Sequence, residues 1–155
     1  MKINKRLWLF LIPFVTGILC IAYAQWATWK ETHFACDSQL TMIDALGNDD
    51  IIMHFRFDGK NGQIETRGKY MPLKGQVLQT SNKVNFTFWR EGDSLVMVSN
   101  DTNRLPKTSP PAFAHTPDFF SSRERGIRLQ VIRKNKSGYL FLYDGTPAFY
   151  CSITG

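Results

Sequence analysis

The chain has 155 residues, with nineteen Lys/Arg against thirteen Asp/Glu and a formal net charge of +6. Three of the basic residues, Lys2, Lys5 and Arg6, stand before a charge-free apolar run, so half of the net charge belongs to the N-terminus. The rest is spread too thinly for a nucleic-acid footprint, and the length beyond the run suits one domain with a single core.

The run covers residues 7–24. Basic residues are retained on the cytoplasmic side during insertion, so the pattern predicts a cytoplasmic tail (1–6), a transmembrane signal-anchor (7–25) and an exported domain (26–155). About eighteen apolar residues at about 1.5 Å each just cross a hydrocarbon core of about 30 Å. Trp26 and Trp29 follow as interfacial anchors. The alternative is a cleaved signal peptide, because Ala22-Tyr23-Ala24 before Gln25 fits the small-x-small cleavage pattern. Lipidation at Cys20 is disfavoured by Leu19, which is bulky where such signals use a small residue.

Beyond the run the chain reads as short strands with turn punctuation. Ile51, Met53, Phe55 and Phe57 alternate with Ile52, His54, Arg56 and Asp58, the period of a strand with one buried face. Asp58-Gly59-Lys60-Asn61-Gly62 supplies hairpin chemistry after it. Further strands are expected at 33–43, 63–70, 75–81, 84–90, 94–100, 126–134, 139–144 and 148–153, with turns at Asn82-Lys83, Glu91-Gly92-Asp93, 135–138 and Gly145-Thr146-Pro147. Residues 102–125 hold four prolines (Pro106, Pro110, Pro111, Pro117) and read as one long connection. Within it Thr116-Pro117-Asp118 has the cap and first-turn pattern of a short helix carrying Phe119 and Phe120. The expected fold is mainly β: an antiparallel sandwich or small lipocalin-like barrel with one short helix, closed on itself to bury twelve Phe and five Tyr. Phe86, Phe88 and Phe141 lie on neighbouring strands, where they either pack a core or line a cavity for a small apolar ligand.

Of three cysteines, Cys36 and Cys151 form the only pair in the exported part. Export favours a disulfide between them over two buried thiols. No catalytic motif, cofactor loop or metal-ligand spacing is present, and His33, His54 and His115 are scattered, so the chain reads as a non-enzyme without cofactor or metal. Asp49, Asp50 and Asp58 read as backbone-capping carboxylates flanking a strand and a turn. His54, beside Arg56 on one strand face, is the candidate pH sensor. Arg123, Arg125, Arg128, Arg133, Lys134 and Lys136 read as a solvated face.

Taken together, several features resemble the FidL-like membrane proteins of enteric bacteria. These are the basic start and single anchor, Cys36 with Leu40, the Asp58-Gly59-x-x-Gly62 turn, Asp118-Phe119-Phe120, Gly138-Tyr139-Leu140-Phe141 and Pro147-x-Phe149-Tyr150-Cys151. That family is similar in layout to ToxS and PsaF, the small companions of ToxR-like one-pass regulators. The resemblance implies a single-pass inner-membrane protein with its C-terminal domain in the periplasm. It would bind the periplasmic domain of such a regulator by strand complementation, without touching DNA. Phe119 and Phe120 would then be either a barrel plug or an exposed binding anchor. The competing readings are a periplasmic carrier of a small apolar ligand and an envelope enzyme or inhibitor.

Overall fold

The computed structural model describes residues 5–44, 47–105 and 117–154. Two compact units divide the chain, Met1–His33 and Phe34–Gly155. The first carries helix α1 (Lys5–Thr32), which continues past the expected 7–25 span to Thr32. Its last turn is closed by the Thr32 hydroxyl, which donates to the carbonyls of Thr28 and Trp29 at 3.2 Å each. The Lys30 ammonium lies over the Trp26 ring at 3.8 Å. Among the described residues no helix is long and apolar enough to cross a membrane.

The second unit is a closed eight-stranded antiparallel barrel in which every strand neighbours the next in sequence and the last neighbours the first. The strands are β1 (His33–Asp44), β2 (Gly47–Asp58), β3 (Asn61–Pro72), β4 (Leu78–Glu91), β5 (Ser94–Leu105), β6 (Gly126–Asn135), β7 (Gly138–Tyr143) and β8 (Thr146–Ile153). Closure decides between the two expected architectures in favour of the barrel. The connections follow an up-and-down meander, most of them short, with one long connection between β5 and β6 that carries the turn Asp118–Phe120. Between β7 and β8, Asp144 (φ 49°) and Gly145 (φ 75°) both adopt positive φ, as a two-residue hairpin matched to strand twist requires.

One strand fewer is present than the turn signals suggest. Residues 78–81 and 84–90 belong to a single long strand, β4, which starts three residues later than expected, and Asn82-Lys83 is not a turn. Both residues lie mid-ladder: Asn82 faces Thr66 and Arg104, and Lys83 faces Glu65 and Asn103. Pairing on both sides thus overrides a polar dipeptide that favours turns in isolation. For the same reason 102–105 is strand rather than connection, since Leu105 still pairs with Ser81. Thr116, His115, Pro106, Pro110 and Pro111 lie outside the described residues. Pro117 precedes a 3₁₀ turn at Asp118–Phe120 that has no side-chain cap.

The inward side chains of β2 follow the expected alternation, with Met53, Phe55 and Phe57 buried. Eight strands leave an interior just wide enough for side chains to fill. Here a continuous set of rings fills it. Phe55 stacks on Phe141 (5.6 Å between centroids) and Phe149 (5.2 Å), and Phe57 meets Phe86 (5.6 Å) and Phe88 (5.1 Å) edge-on. Phe86 in turn meets Phe119 (5.8 Å). Edge-to-face and offset pairs of this kind contribute about 0.5–1.5 kcal/mol each beyond their buried area. Close packing also explains Gly62, because a Cβ there would enter the ring of the fully buried Phe86.

The barrel closes through a short seam. β1 and β8 pair only at Cys36↔Ile153 and Asp37↔Ser152 among the described residues. The Cys36–Cys151 disulfide crosses this seam with a Cα–Cα distance of 5.4 Å. Both sulfur-bearing residues are fully buried. The expected pairing is therefore present, while Cys20 remains a free thiol.

Two outcomes follow from this packing. The bridge spans 115 residues of sequence, so the double variant Cys36→Ser/Cys151→Ser should lose about 4 kcal/mol of unfolding free energy in a urea titration. A wild-type protein whose midpoint does not move on reduction would show that the seam holds without it. Gly62→Ala should cost about 1–3 kcal/mol in the same titration, because the Phe86 ring has no free space to retreat into.

Candidate functional site

The expected site residues do not converge on one place. Phe86, Phe88 and Phe141 face the interior and are almost wholly buried, so a partner cannot touch them while the barrel is closed. Phe119 is also fully buried and lies against Phe86 and Phe120, while Phe120 is half-buried. The 3₁₀ turn that carries them is tied to the barrel wall by the Asn82 amide, which donates to the Phe120 carbonyl at 2.6 Å. The following residues are tied to Ser99. Its hydroxyl donates to the Ser122 carbonyl (2.6 Å) and accepts from the Arg125 amide (3.1 Å), so this fully buried hydroxyl is satisfied.

His54 points outward from β2 and its Nδ1 is paired with the Asp37 carboxylate of β1, both side chains being about half exposed. Across the ladder on its other side stands Glu65, which meets Lys83 of β4 at 3.5 Å. The result is a row of polar side chains, Asp37, His54, Glu65 and Lys83, across β1–β4 on the outer wall. The basic cluster is dispersed: Arg123 pairs with Asp101 (2.5 Å), Arg128 approaches Glu91 (3.6 Å) and Arg133 lies over Tyr139 (6.0 Å). A shallow outer cavity of about 200 Å³ runs over β3–β5, lined by Glu65, Arg67, Ser81, Lys83, Asn103 and Leu105 together with Thr66 and Asn82.

Two features of one barrel end were not anticipated. The first is an open sheet margin. β5 and β6 pair only as far as Val98↔Gly126, whereas β5 continues against β4 to Leu105. The part of β1 beyond Asp37 has no described pairing with β8. Residues 100–105 of β5 therefore extend past its pairing with β6, and residues 38–44 of β1 have no described pairing with β8. Exposed apolar side chains collect at this end, including Ile43 (79% exposed), Leu73 (77%), Val77 (59%), Ile52, Met71 and Leu105. Lys69 and Lys74 stand exposed among them.

The second is polar. Asp49 is not a capping residue flanking a strand: it lies within β2, faces inward and is only 8% exposed. Its Oδ1 has no hydrogen-bond partner, and neither has Oδ1 of Asn82. Burial raises the Asp49 carboxyl above its ordinary value of 3.8, the Arg104 guanidinium pulls it part of the way back, and the Asp50 carboxylate adds to the rise. The signal for an inward Asp49 was present in the sequence, since the alternation through Met53 and Ile51 reaches it two residues further back. Asn82 carried no such signal, because its register depends on β3 and β5.

No family model and no curated protein matches the chain. The class it belongs to is therefore set by its own architecture: a disulfide-closed, eight-stranded antiparallel barrel following an N-terminal helix.

Because the Asp49 proton is held more tightly in the folded than in the unfolded chain, ionisation destabilises the fold. The penalty is absent below the ordinary value of 3.8, develops as pH rises towards the folded-state value and is complete above it. Asp49→Asn should thus be more stable than wild type at neutral pH, and the gain should disappear below the carboxylate range. A urea-midpoint difference that is the same at both pH values would mean that burial of the charge is not its origin.

Proposed function

We propose that this protein is a single-pass inner-membrane accessory protein, with residues 7–25 as its anchor and its barrel in the periplasm. There it binds the periplasmic domain of a ToxR-like one-pass regulator and stabilises or tunes it. The observation that carries the reading is the apolar barrel end: residues 100–105 extend beyond the β5–β6 pairing, residues 38–44 have no described pairing with β8, and Ile43, Leu73, Val77 and Leu105 are exposed there. A strand from a partner laid along such a margin gains main-chain hydrogen bonds, and the apolar side chains around it gain burial. Large exposed apolar groups gathered at one end of a small domain mark an interaction surface.

Three further considerations support the reading. Lys2, Lys5 and Arg6 ahead of a charge-free run form a topogenic signal. A buried disulfide suits an oxidising compartment. The FidL-like layout supplies the class of partner. Sharing one bilayer would raise the effective concentration of the two proteins, so a modest interface would suffice. A carrier of an apolar ligand is less well supported, because Phe55, Phe57, Phe86, Phe141 and Phe149 already occupy the interior where such a ligand would lie.

Crosslinking of the full-length protein in its own cells, capture and mass spectrometry should recover a one-pass winged-helix regulator at about equal amount. Ile43→Glu and Leu73→Glu replace exposed side chains, so they should leave the protein's abundance unchanged and lower that recovery about tenfold. Undiminished recovery from both variants would move the interface elsewhere. Recovery of the protein alone, carrying a lipid, would replace this reading with that of a carrier.

A further inference from the structure

The outer cavity over β3–β5 contains one charge that its surroundings leave unbalanced. Of the charged groups that line it, Glu65 and Lys83 lie 3.5 Å apart, and the Gln63 amide also donates to the Glu65 carboxylate at 2.6 Å. Those two charges answer each other. The third is Arg67 of β3, whose exposed guanidinium has no ion pair or hydrogen bond among the described residues. Asp50 of β2 stands on the diagonal from it and does not reach it. The register partners of Arg67 are Ile52 of β2 and Ser81 of β4, and Ser81 in turn faces Leu105 of β5. All four side chains are exposed on the outer wall.

The row Ile52, Arg67, Ser81, Leu105 crosses four adjacent strands. At about 4.8 Å from strand to strand it is about 14 Å long. An extended chain laid along the row rises about 3.3 Å per residue and turns every second side chain to the wall, so the first, third and fifth side chains of a short segment span about 13 Å. The outer two then fall on Ile52 and Leu105. The middle one falls between Arg67 and Ser81. A carboxylate at that place accepts from the Arg67 guanidinium and the Ser81 hydroxyl, and Asn103 offers an amide donor from the same cavity. Its volume of about 200 Å³ is several times the share of one water, about 30 Å³. Covering Arg67 with an apolar or basic side chain would strip its water and return nothing, which selects an acid.

We infer that this row binds an extended segment of the pattern apolar-x-acidic-x-apolar. The acidic side chain is held by Arg67 and Ser81, and the two apolar ones cover Ile52 and Leu105. The inference rests on the reading of this barrel end as the surface that meets a regulator's periplasmic domain, and it names the chemistry that domain must supply. Ile52 and Leu105 are continuous with that surface, since both belong to the exposed apolar set that includes Ile43 and Leu73. The segment crosses the strands on the outside, so the packed phenylalanines need not move.

The test repeats the crosslinking capture with full-length Arg67→Glu, Arg67→Gln and Lys134→Glu, the last making the same charge change on the outer wall at β6. Both positions are exposed, so abundance should be unchanged. Recovery of the regulator should fall about tenfold in Arg67→Glu, which sets like charges against each other, and stay at the wild-type level in Lys134→Glu. In a detergent extract, higher ionic strength before crosslinking should lower recovery by the wild type and leave the smaller recovery by Arg67→Gln unmoved. Undiminished recovery by Arg67→Glu, or an equal loss in Lys134→Glu, would overturn the assignment; the docking reading stands in that case if Ile43→Glu and Leu73→Glu still lower recovery. Recovery of no regulator by the wild type would remove both.

Discussion

Closure of the sheet at the β1–β8 seam is the constraint on which the remaining structure depends. Seven of the eight strand boundaries are made by neighbours in sequence, and for all of these but β5–β6 a tight turn or short connection fixes the pairing locally. The eighth must join the two ends of the domain, 115 residues apart at the cysteines. Two ladder pairs would be a weak closure by themselves. The covalent bridge between Cys36 and Cys151 removes much of the loop-closure entropy from the unfolded chain, and closure in turn brings Phe55 of β2 against Phe141 and Phe149 of β7 and β8. Without the seam those rings would lie on opposite margins of an open sheet.

The interior that closure creates has two chemistries. One part is occupied by stacked and edge-on phenylalanines, which set the spacing of the walls and leave little room for anything else. The other, reached by the parts of β2–β5 that run beyond the short β6–β8 strands, carries Asp49, Thr80, Asn82 and Arg104 on inward positions. The turn Asp118–Phe120 lies at the boundary between them. Its Phe119 completes the aromatic set, and its Phe120 carbonyl orients the Asn82 amide. A single turn of chain thus terminates one chemistry and aligns the other.

The contrast in strand length has a further consequence on the outside. Long β4 and β5 give the barrel a margin that its shorter strands do not cover, and the apolar side chains at that end stay exposed. Edge strands in monomeric proteins are ordinarily blunted by charge, by proline or by a covering segment. Lys69 and Lys74 supply some charge at this end. Among the described residues the apolar groups around them stay exposed, which is the physical basis for the proposed partner surface.

Local patterning in the sequence determined what can be settled locally. Strict alternation from Ile51 to Phe57 fixed which face of β2 is buried, Asp58-Gly59 marked one hairpin, Gly145 marked another whose turn is Asp144-Gly145 rather than Gly145-Thr146-Pro147, and the single cysteine pair beyond Cys20 named the bridge. Each rests on a period of two, a positive φ or a count, and none needs a neighbour from far along the chain. What only the tertiary structure decided are the matters that depend on such neighbours. Asn82-Lys83 has turn composition yet lies in mid-strand, because ladders on both sides supply hydrogen bonds that a lone dipeptide lacks. Asp49 has the composition of a cap yet is buried, because the strand begins earlier than its apolar residues do. Whether the sheet would stack as a sandwich or close as a barrel was likewise undetermined, since both bury the same alternating face. The choice belongs to the long-range seam between the first and last strands.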